Sequence, residues 1–245
     1  MPGSCFAERL SEIVVLSPNE RQALERLEER ERHLRRGATL QRENDRVAEM
    51  FVLRKGLMMS SVLLDDGSRQ ILRIHFAGDL LAVSSLIYND APETITALSD
   101  CTVAPFERAA LSALLVEHPR LAALLLVYNQ IERVALTDRL AALGRTSAKA
   151  RVAAILMEMR NRMRIQDKGI GDSFVLGLTQ EEIGDATGLT AVHVNRILRQ
   201  LEEEGLIARE AGRVRFLNER VLARAANFTD RYAGLDLGWL PPSRG

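Results

Sequence analysis

Residues 178–217, LTQEEIGDATGLTAVHVNRILRQLEEEGLIAREAGRVRFL, predict two short helices around a tight turn, followed by a glycine-centred hairpin. Thr179 and Glu182 have the spacing of a capping box, in which each side chain satisfies a free backbone amide at a helix start. Gly188 can take the left-handed conformation that ends a helix, and Thr190 is suited to cap a new helix two residues later. Helices joined so closely cross at a steep angle, which is typical of a helix-turn-helix.

The second predicted helix, residues 191–204, has one apolar and one polar face. The apolar stripe has the three- and four-residue spacing of a buried helix face and consists of Val194, Ile197, Leu198 and Leu201. At about 100° per residue, Val192, Arg196 and Arg199 lie opposite that stripe. Because arginine can bind guanine and asparagine can bind adenine in the major groove, this face favours DNA reading. The alternative is a packed helical hairpin with solvated polar side chains.

Two short strands after Gly205 predict the wing of a winged helix-turn-helix. They run from Leu206 to Arg209 and from Arg213 to Leu217, joined through Ala211 and Gly212. Alternation along the second strand puts Arg213 and Arg215 on one side, where they can contact phosphates. The predicted DNA-binding residues are Thr179, Gln180, Thr190, Ala191, Val192, His193, Asn195, Arg196, Arg199, Arg213 and Arg215.

EIGDATGLT followed by VNRILRQLEEEGLI resembles the DNA-binding domain of the Crp/Fnr superfamily of bacterial transcription regulators. Recognition helices of that family open with a Ser or Thr cap, a Glu two positions later and an Arg four beyond it. Thr190 and Arg196 match, whereas Val192 stands where the family has glutamate. Glutamate accepts from cytosine, but valine makes only apolar contacts, for example with a thymine methyl. The operator is therefore expected to differ from the commonest family consensus.

Composition sets wider bounds. The 245 residues are 47% hydrophobic, and the formal net charge is zero. Residues 1–144 carry 17 basic and 20 acidic side chains, whereas residues 145–245 carry 16 basic and 13 acidic side chains. DNA affinity must then come from a local basic face and should fall with salt. Apolar runs are too short for a membrane span, and the N-terminus does not resemble a secretory signal. We expect a cytoplasmic protein that does not act at a membrane.

Glycine and turn pairs punctuate short apolar stretches between residues 30 and 108, which predicts a small all-β roll. LLDDGSRQIL is the clearest hairpin, because Asp-Gly suits a two-residue turn. The order of roll, helix and helix-turn-helix again resembles the Crp/Fnr family, over about residues 10–228. The resemblance implies an α+β fold: N-terminal helix and cyclic-nucleotide-binding-like β-roll (1–118), dimerisation helix (119–144), winged helix-turn-helix (145–228) and C-terminal tail (229–245). Within that tail, Trp239 is either an anchor or simply exposed.

The segment FAGDLLAVSSLIYNDAPETITAL is similar to the part of the family's sensor domain that lies near the ligand. Cyclic-nucleotide-binding members carry Gly-Glu and then Arg-Ser or Arg-Thr there, whereas this chain has Ala82-Val83 and Pro92-Glu93-Thr94. A glutamate repels a phosphate, so cyclic AMP is not expected as the effector. The candidate effector residues are Gly78, Asp79, Leu80, Ala82, Val83, Ser84, Ser85 and Thr94; the alternative is a structural roll with hydroxyls exposed at turns.

Two cysteines, Cys5 and Cys101, are too few for the four thiolates of an iron-sulfur cluster within one protomer. They form either a redox-sensitive pair or, for Cys101, a small core residue. The histidines, His33, His75, His118 and His193, lack metal-ligand spacing, which favours structural roles over metal or haem binding. No nucleophile elbow, phosphate loop or zinc-protease motif is present, so we predict no enzyme and no metal site.

Residues 119–143 carry an apolar repeat of alternating three- and four-residue steps, which favours a helix pairing with a second copy of the chain. The predicted dimer residues are Leu121, Leu124, Leu125, Tyr128, Ile131, Ala135, Asp138 and Ala142. Asp138 must be solvated or paired in such a seam. The alternative is a core helix of a single chain.

The segment Gly144, Arg145, Thr146 and Ser147 is expected to break this helix and to cap the next one, and it forms a candidate hinge. The sequence thus predicts a homodimeric regulator that binds a roughly palindromic double-stranded operator, acts on RNA polymerase and is controlled allosterically by a small-molecule or redox signal at the roll. The competing hypothesis is a ligand- or protein-binding module whose helix-turn-helix is a protein interface.

Overall fold

The computed structural model describes residues 3–46 and 49–242, which divide into two compact units. The first comprises Met1–Val62, Arg73–Val134 and Tyr232–Gly245, and the second comprises Leu63–Leu72 and Ala135–Arg231. The order of a β-rich domain, long helices and a helix-turn-helix domain confirms the predicted α+β class.

Two short helices precede the roll of the first unit, α1 (Cys5–Ser11) and α2 (Pro18–Arg26). Ser17 caps α2 in a capping box with Glu20. The strands that follow are β1 (Arg32–Leu34), β2 (Thr39–Gln41), β3 (Glu49–Lys55), β4 (Leu57–Leu63), β5 (Arg69–Phe76), β6 (Leu80–Leu81), β7 (Thr94–Ala97) and β8 (Cys101–Glu107).

These strands form two four-stranded sheets, in the orders β1-β8-β3-β6 and β2-β7-β4-β5. A 3₁₀ helix, Val83–Leu86, lies between β6 and β7. Strands β4 and β5 are joined by residues 64–68, so the expected two-residue turn is wrong: Gly67, not the preceding aspartate, takes the left-handed conformation at φ +83°.

Helices α3 (Arg108–Glu117) and α4 (Pro119–Arg145) follow the roll. Leu111, Leu121, Leu124 and Tyr128 join the core of the first unit, which also holds Phe6 of α1. That core lies between the helices and strands β3 and β8. The roll encloses a second apolar cluster that includes Cys101.

The C-terminal segment belongs to the first unit. The Tyr232 hydroxyl donates to Glu132 of α4 at 2.6 Å, and its ring lies 4.3 Å from the buried Arg9 guanidinium. Leu240 packs against the core, whereas Trp239 is 58% exposed. Tyr232 and Leu240, rather than Trp239, therefore anchor this segment.

The second unit contains α5 (Ala148–Gln166), β9 (Ser173–Val175), α6 (Gln180–Thr187), α7 (Ala191–Glu203), β10 (Ile207–Glu210), β11 (Arg213–Phe216) and α8 (Glu219–Ala226). Helix α4 continues through Gly144 and ends at Arg145, within the predicted segment 144–147. The break falls at Thr146 and Ser147, where the Ser147 hydroxyl accepts from the Ala150 amide at 3.1 Å.

The turn between β4 and β5 is held within the second unit by its polar contacts with α6. Arg69 Nε donates to the Asp185 carboxylate at 2.7 Å, and Gln70 donates to the Asp185 carbonyl at 2.7 Å. Arg139 of α4 donates to the Leu72 carbonyl at 2.5 Å and to Glu158 of α5 at 2.7 Å. These bonds fix the turn of the hairpin to α6 and α5.

Two helical glycines have opposite surroundings. A Cβ at Gly184 of α6 would lie 2.4 Å from the Leu189 carbonyl oxygen, whereas a Cβ at Gly144 of α4 meets nothing within 4 Å. Gly184→Ala is therefore expected to destabilise the second unit by about 2 kcal/mol, since backbone must shift, while Gly144→Ala stabilises by roughly 0.5–1 kcal/mol. Thermal denaturation of both variants checks this, and equal effects at the two sites would contradict it.

No single helix among residues 3–46 and 49–242 is long and apolar enough to cross a membrane; α3 and α4 together pass by length and composition, but they are bent by 116°.

Candidate nucleic-acid interface

The helix-turn-helix begins at a capping box. Thr179 Oγ1 accepts from the Glu182 amide at 3.1 Å, and the Glu182 carboxylate accepts from the Thr179 amide at 2.6 Å. Gly188 ends α6 with φ +66°, and Thr190 Oγ1 accepts from the His193 amide at 3.3 Å to start α7. The local signals in the sequence thus correctly predicted both helix starts and the turn.

Helix α7 buries the predicted apolar stripe, Val194, Ile197, Leu198 and Leu201. Its opposite face is open: Val192 is 82% exposed, and Arg196 and Arg199 are exposed. Thr179, Gln180 and Thr190 are also exposed, while Ala191, His193 and Asn195 are half-buried. Helix α7 thus has a buried apolar face and an outward row of exposed residues, Val192, Arg196 and Arg199. This arrangement, with two cations in the outward row, suits insertion into a groove of a polyanion.

Two side-chain hydrogen bonds order the outward row. Gln180 of α6 donates to the Asn195 side-chain oxygen at 3.3 Å and thereby links the two helices. Arg196 Nη2 lies 3.0 Å from His193 Nε2, one turn earlier on α7. Both pairs join residues that the sequence predicted as DNA contacts, although the pairing itself could not be predicted.

The wing is a three-stranded sheet in the order β10-β11-β9, and the sequence did not predict β9. Val214 and Phe216 are buried, while Arg213 and Arg215 alternate with them and are exposed. Arg213 donates to the Ser173 hydroxyl and carbonyl of β9, both at 3.1 Å. Strand β9 therefore holds one predicted phosphate contact in place and leaves Arg215 unconstrained by it.

Acidic residues at the end of α7 are paired with cations. A hydrogen bond from Arg209 lowers the pKa of Glu202, and hydrogen bonds from Lys149 and Gln200 lower the pKa of Glu204. Arg209 donates to Glu202 at 2.7 Å, and Lys149 forms an ion pair with Glu204. The pairing reduces the repulsion that these carboxylates would exert on a phosphate backbone.

Comparison with known proteins decides the family. Residues 150–225 match the profile described as "Crp-like helix-turn-helix domain", and residues 31–118 match "Cyclic nucleotide-binding domain". The chain is 33% identical over 196 residues to the nitrogen fixation regulation protein FixK of Bradyrhizobium diazoefficiens, covering 79% of this chain and 81% of that one. The chain belongs to the Crp/Fnr family. It is a transcription regulator with a helix-turn-helix DNA-binding domain.

Two further Crp/Fnr relatives cover most of the chain. The fumarate and nitrate reduction regulatory protein of Escherichia coli K12 is 25% identical over 230 residues, 94% of this chain and 91% of that one. The structure of FixK2 from Bradyrhizobium japonicum superposes with a TM-score of 0.73 at 26% identity, covering 82% of this chain and 98% of that one. The resemblance thus extends over the β-rich domain, the long helix and the helix-turn-helix domain.

The Crp/Fnr-like effector segment is held mainly by contacts inside the first unit. A Cβ at Gly78, where φ is +84°, would lie 2.7 Å from the Cys5 carbonyl oxygen, so this glycine permits α1 to pack. Asp79 is fully buried and accepts from the Phe76 amide and the Tyr128 hydroxyl, both at 3.0 Å. Asp79 therefore links the roll to helix α4.

The remaining candidate effector residues have varied surroundings. Leu80 and Ala82 are buried and Val83 packs against the core, while Thr94 Oγ1 accepts from the Glu43 amide at 3.1 Å. The hydroxyls of Ser84 and Ser85 are buried without a hydrogen-bond partner in the protein. The expectation of hydroxyls exposed at turns is therefore wrong for these two serines.

Glu93 occupies the region where cyclic-nucleotide-binding members carry arginine. Burial raises the pKa of its carboxyl above the ordinary 4.5, although a hydrogen bond from Ser60 and the charge of Arg73 offset part of the effect. Ser60 in turn contacts His75 Nε2 at 2.6 Å. Glu93 is thus surrounded by the Ser60 hydroxyl and, at longer range, by the charge of Arg73.

The raised pKa of Glu93 has a consequence for stability. The folded protein binds the Glu93 proton more tightly than the unfolded chain does. The stabilisation of the folded state by this proton is therefore fully present below about pH 4.5 and is lost as the pH rises through the folded pKa. Glu93→Gln is therefore expected to raise the melting temperature at pH 7.5 by about 2–4 °C. At pH 4 the two proteins should melt alike, which is the internal control; a variant less stable at pH 7.5 would contradict the assignment.

The cysteines are free, and burial raises the pKa of both thiols. Cys101 is a core residue whose thiol donates to the Leu57 carbonyl at 3.2 Å, and Cys5 donates to the Arg54 carbonyl at 3.4 Å. Protonated thiols react slowly with oxidants. Within the part of the chain that the structure describes, no group of three or more His, Cys, Asp or Glu could hold a metal ion.

Helix α4 has two apolar faces, and the one predicted for dimerisation is largely covered. Leu121, Leu124, Tyr128 and Ile131 are buried by their own chain, which leaves little of their surface for a second copy. Leu125, Ala135, Asp138 and Ala142 are half-buried. Asp138 is paired, since Arg231 donates to its two oxygens at 2.6 and 2.8 Å.

Proposed function

We propose that this Crp/Fnr regulator acts as a homodimer that reads a roughly palindromic operator, with a signal received at the β-roll. The outward row on α7 carries the proposal, because Val192, Arg196 and Arg199 are exposed along a helix whose opposite face is anchored in the domain. Two copies related by a two-fold axis would place two such helices about one DNA turn apart.

The second copy is proposed to bind the exposed face of α4. Leu126, Leu136 and Leu140 are 55%, 44% and 72% exposed. At about 100° per residue, they lie within an arc of about 80°, turned away from the buried face of the helix. Arg133 also lies in this arc and is exposed. Three exposed leucines on one side of a 27-residue helix, with Arg133 between them, are suited to a parallel helix pair.

The signal is proposed to act on the roll and the reader through helix α4 and the break at Thr146 and Ser147. The buried hydroxyls of Ser84 and Ser85, which lack a partner, support a small polar ligand over cyclic AMP, since Glu93 would repel a phosphate. RNA polymerase is the proposed protein partner, on the strength of the relatives' names as regulators.

Selection of genomic DNA fragments by the purified full-length chain tests the operator. We expect enrichment of one two-fold symmetric motif, with binding that weakens steeply between about 50 and 200 mM salt. If no motif is enriched and binding is equal for all fragments, the helix-turn-helix does not read sequence and the rival hypothesis of a protein interface is favoured.

A further inference from the structure

The recognition helix lacks the acceptor that the family carries four residues before its arginine. Val192 occupies that position and is 82% exposed. A carboxylate at position i can hold an arginine at i+4 on the same helix face, but an isopropyl group cannot. Arg196 therefore needs another acceptor if its long side chain is to be ordered before DNA arrives.

His193 supplies an acceptor from the neighbouring position. Its Nε2 lies 3.0 Å from Arg196 Nη2, and the two residues are three apart on α7. A guanidinium has donors only, so the imidazole Nε2 is the acceptor in this contact. The contact uses one of the five N–H donors of Arg196 and leaves enough for a two-donor contact with guanine.

His193 has a fixed backbone and is less exposed than the arginine that it contacts. The His193 amide donates to Thr190 Oγ1 at the helix cap, and the His193 side chain is half-buried whereas Arg196 is exposed. An ordered acceptor lowers the conformational entropy that a flexible arginine loses on binding.

We propose that His193 is a positioning residue that orients Arg196 for base reading and replaces the glutamate missing at position 192. The proposal rests on the proposed reading of DNA by α7. Unlike a glutamate, an imidazole acceptor carries no negative charge, so it does not offset the charge of Arg196, which faces the groove.

The test compares base discrimination in the wild type and in five variants, by titration of the selected operator and of operators substituted at single positions. The guanine read by Arg196 is the position at which Arg196→Ala loses discrimination. His193→Ala is expected to lower discrimination at that same position about fivefold, the size of one hydrogen bond. Gln200→Ala, an exposed change elsewhere on α7, is the matched control and should leave that position unchanged.

Rescue separates positioning from direct contact. His193→Gln keeps an acceptor at the same place, and the double variant Val192→Glu with His193→Ala moves an acceptor to the family position. Both are expected to restore discrimination at the Arg196 guanine to within about twofold of wild type. Failure of both rescues, or an equal loss at all positions in His193→Ala, would overturn the proposal.

Failure of this proposal is distinguishable from failure of DNA reading. If the wild type selects a motif and Arg196→Ala loses one base while His193→Ala retains it, only the positioning role is refuted. If the wild type selects no motif, the proposed function itself fails. Circular dichroism of each variant verifies that α7 and its domain remain folded.

Discussion

Arg196→Ala is expected to lower the affinity of the dimer for its selected operator by about 100-fold at fixed salt. Arg196 is exposed on the outward face of α7, close to its capped start. A well-placed arginine contributes about 1–3 kcal/mol of discrimination per base contact, and a two-fold symmetric complex loses two such contacts. Equilibrium titration with the operator and with a scrambled duplex measures the loss, which should be much smaller for the scrambled DNA.

The control for charge is Arg35→Ala, which removes one exposed cation from the first unit and leaves α7 intact. Its effect on operator affinity should stay within about threefold, because only a weak electrostatic contribution is removed. A loss in Arg196→Ala that is the same for operator and scrambled DNA would show that Arg196 contacts phosphate rather than a base.

Placing glutamates at Leu136 and Leu140 is expected to convert the dimer to a monomer at micromolar concentration. Both side chains are exposed in one chain, at 44% and 72%, so the double variant should fold normally. In a parallel pair each substitution removes about 1.5–3 kcal/mol of apolar burial per chain and places glutamates of the two chains opposite each other. Both effects together should raise the dissociation constant of the dimer more than 100-fold. Sedimentation equilibrium measures the mass, and operator affinity should fall with it.

Val116→Glu is the matched control for this change, because Val116 is also an exposed apolar residue, at 78%, but lies on α3. It should leave the dimer intact. Leu121→Glu distinguishes the two faces of α4: Leu121 is fully buried in its own chain, so this variant should unfold the first unit rather than release monomers. Monomerisation by Val116→Glu, or a stable dimer with both glutamates in place, would refute the proposed face.

The helix-turn-helix was predictable because its determinants are local. Thr179, Glu182, Gly188 and Thr190 satisfy or release backbone groups within a few residues of themselves, and such effects depend little on the rest of the fold. The alternation of Arg213 and Arg215 with buried residues was predictable for the same reason.

Contacts between distant parts of the chain were not predictable. Helix α4 offers two apolar stripes, and only the packing of the roll decides that Leu121 is covered while Leu140 is left open. Asp138 finds its partner Arg231 93 residues away, and Gly78 is required by the passage of α1. Gly144 lies inside α4, because in a long helix one glycine costs only about 1 kcal/mol and does not end the helix.

The return of the chain to the first unit at Tyr232 affects the order of folding during synthesis. Tyr232 and Leu240 pack on α1, α4 and the core around them, so these contacts form only after the whole second unit has been translated. The first unit is thus completed last although most of it is made first. A fragment that ends at the close of α4 leaves one face of the Arg9 guanidinium uncovered, and isolated sensor fragments should be less stable than the same unit in the full chain.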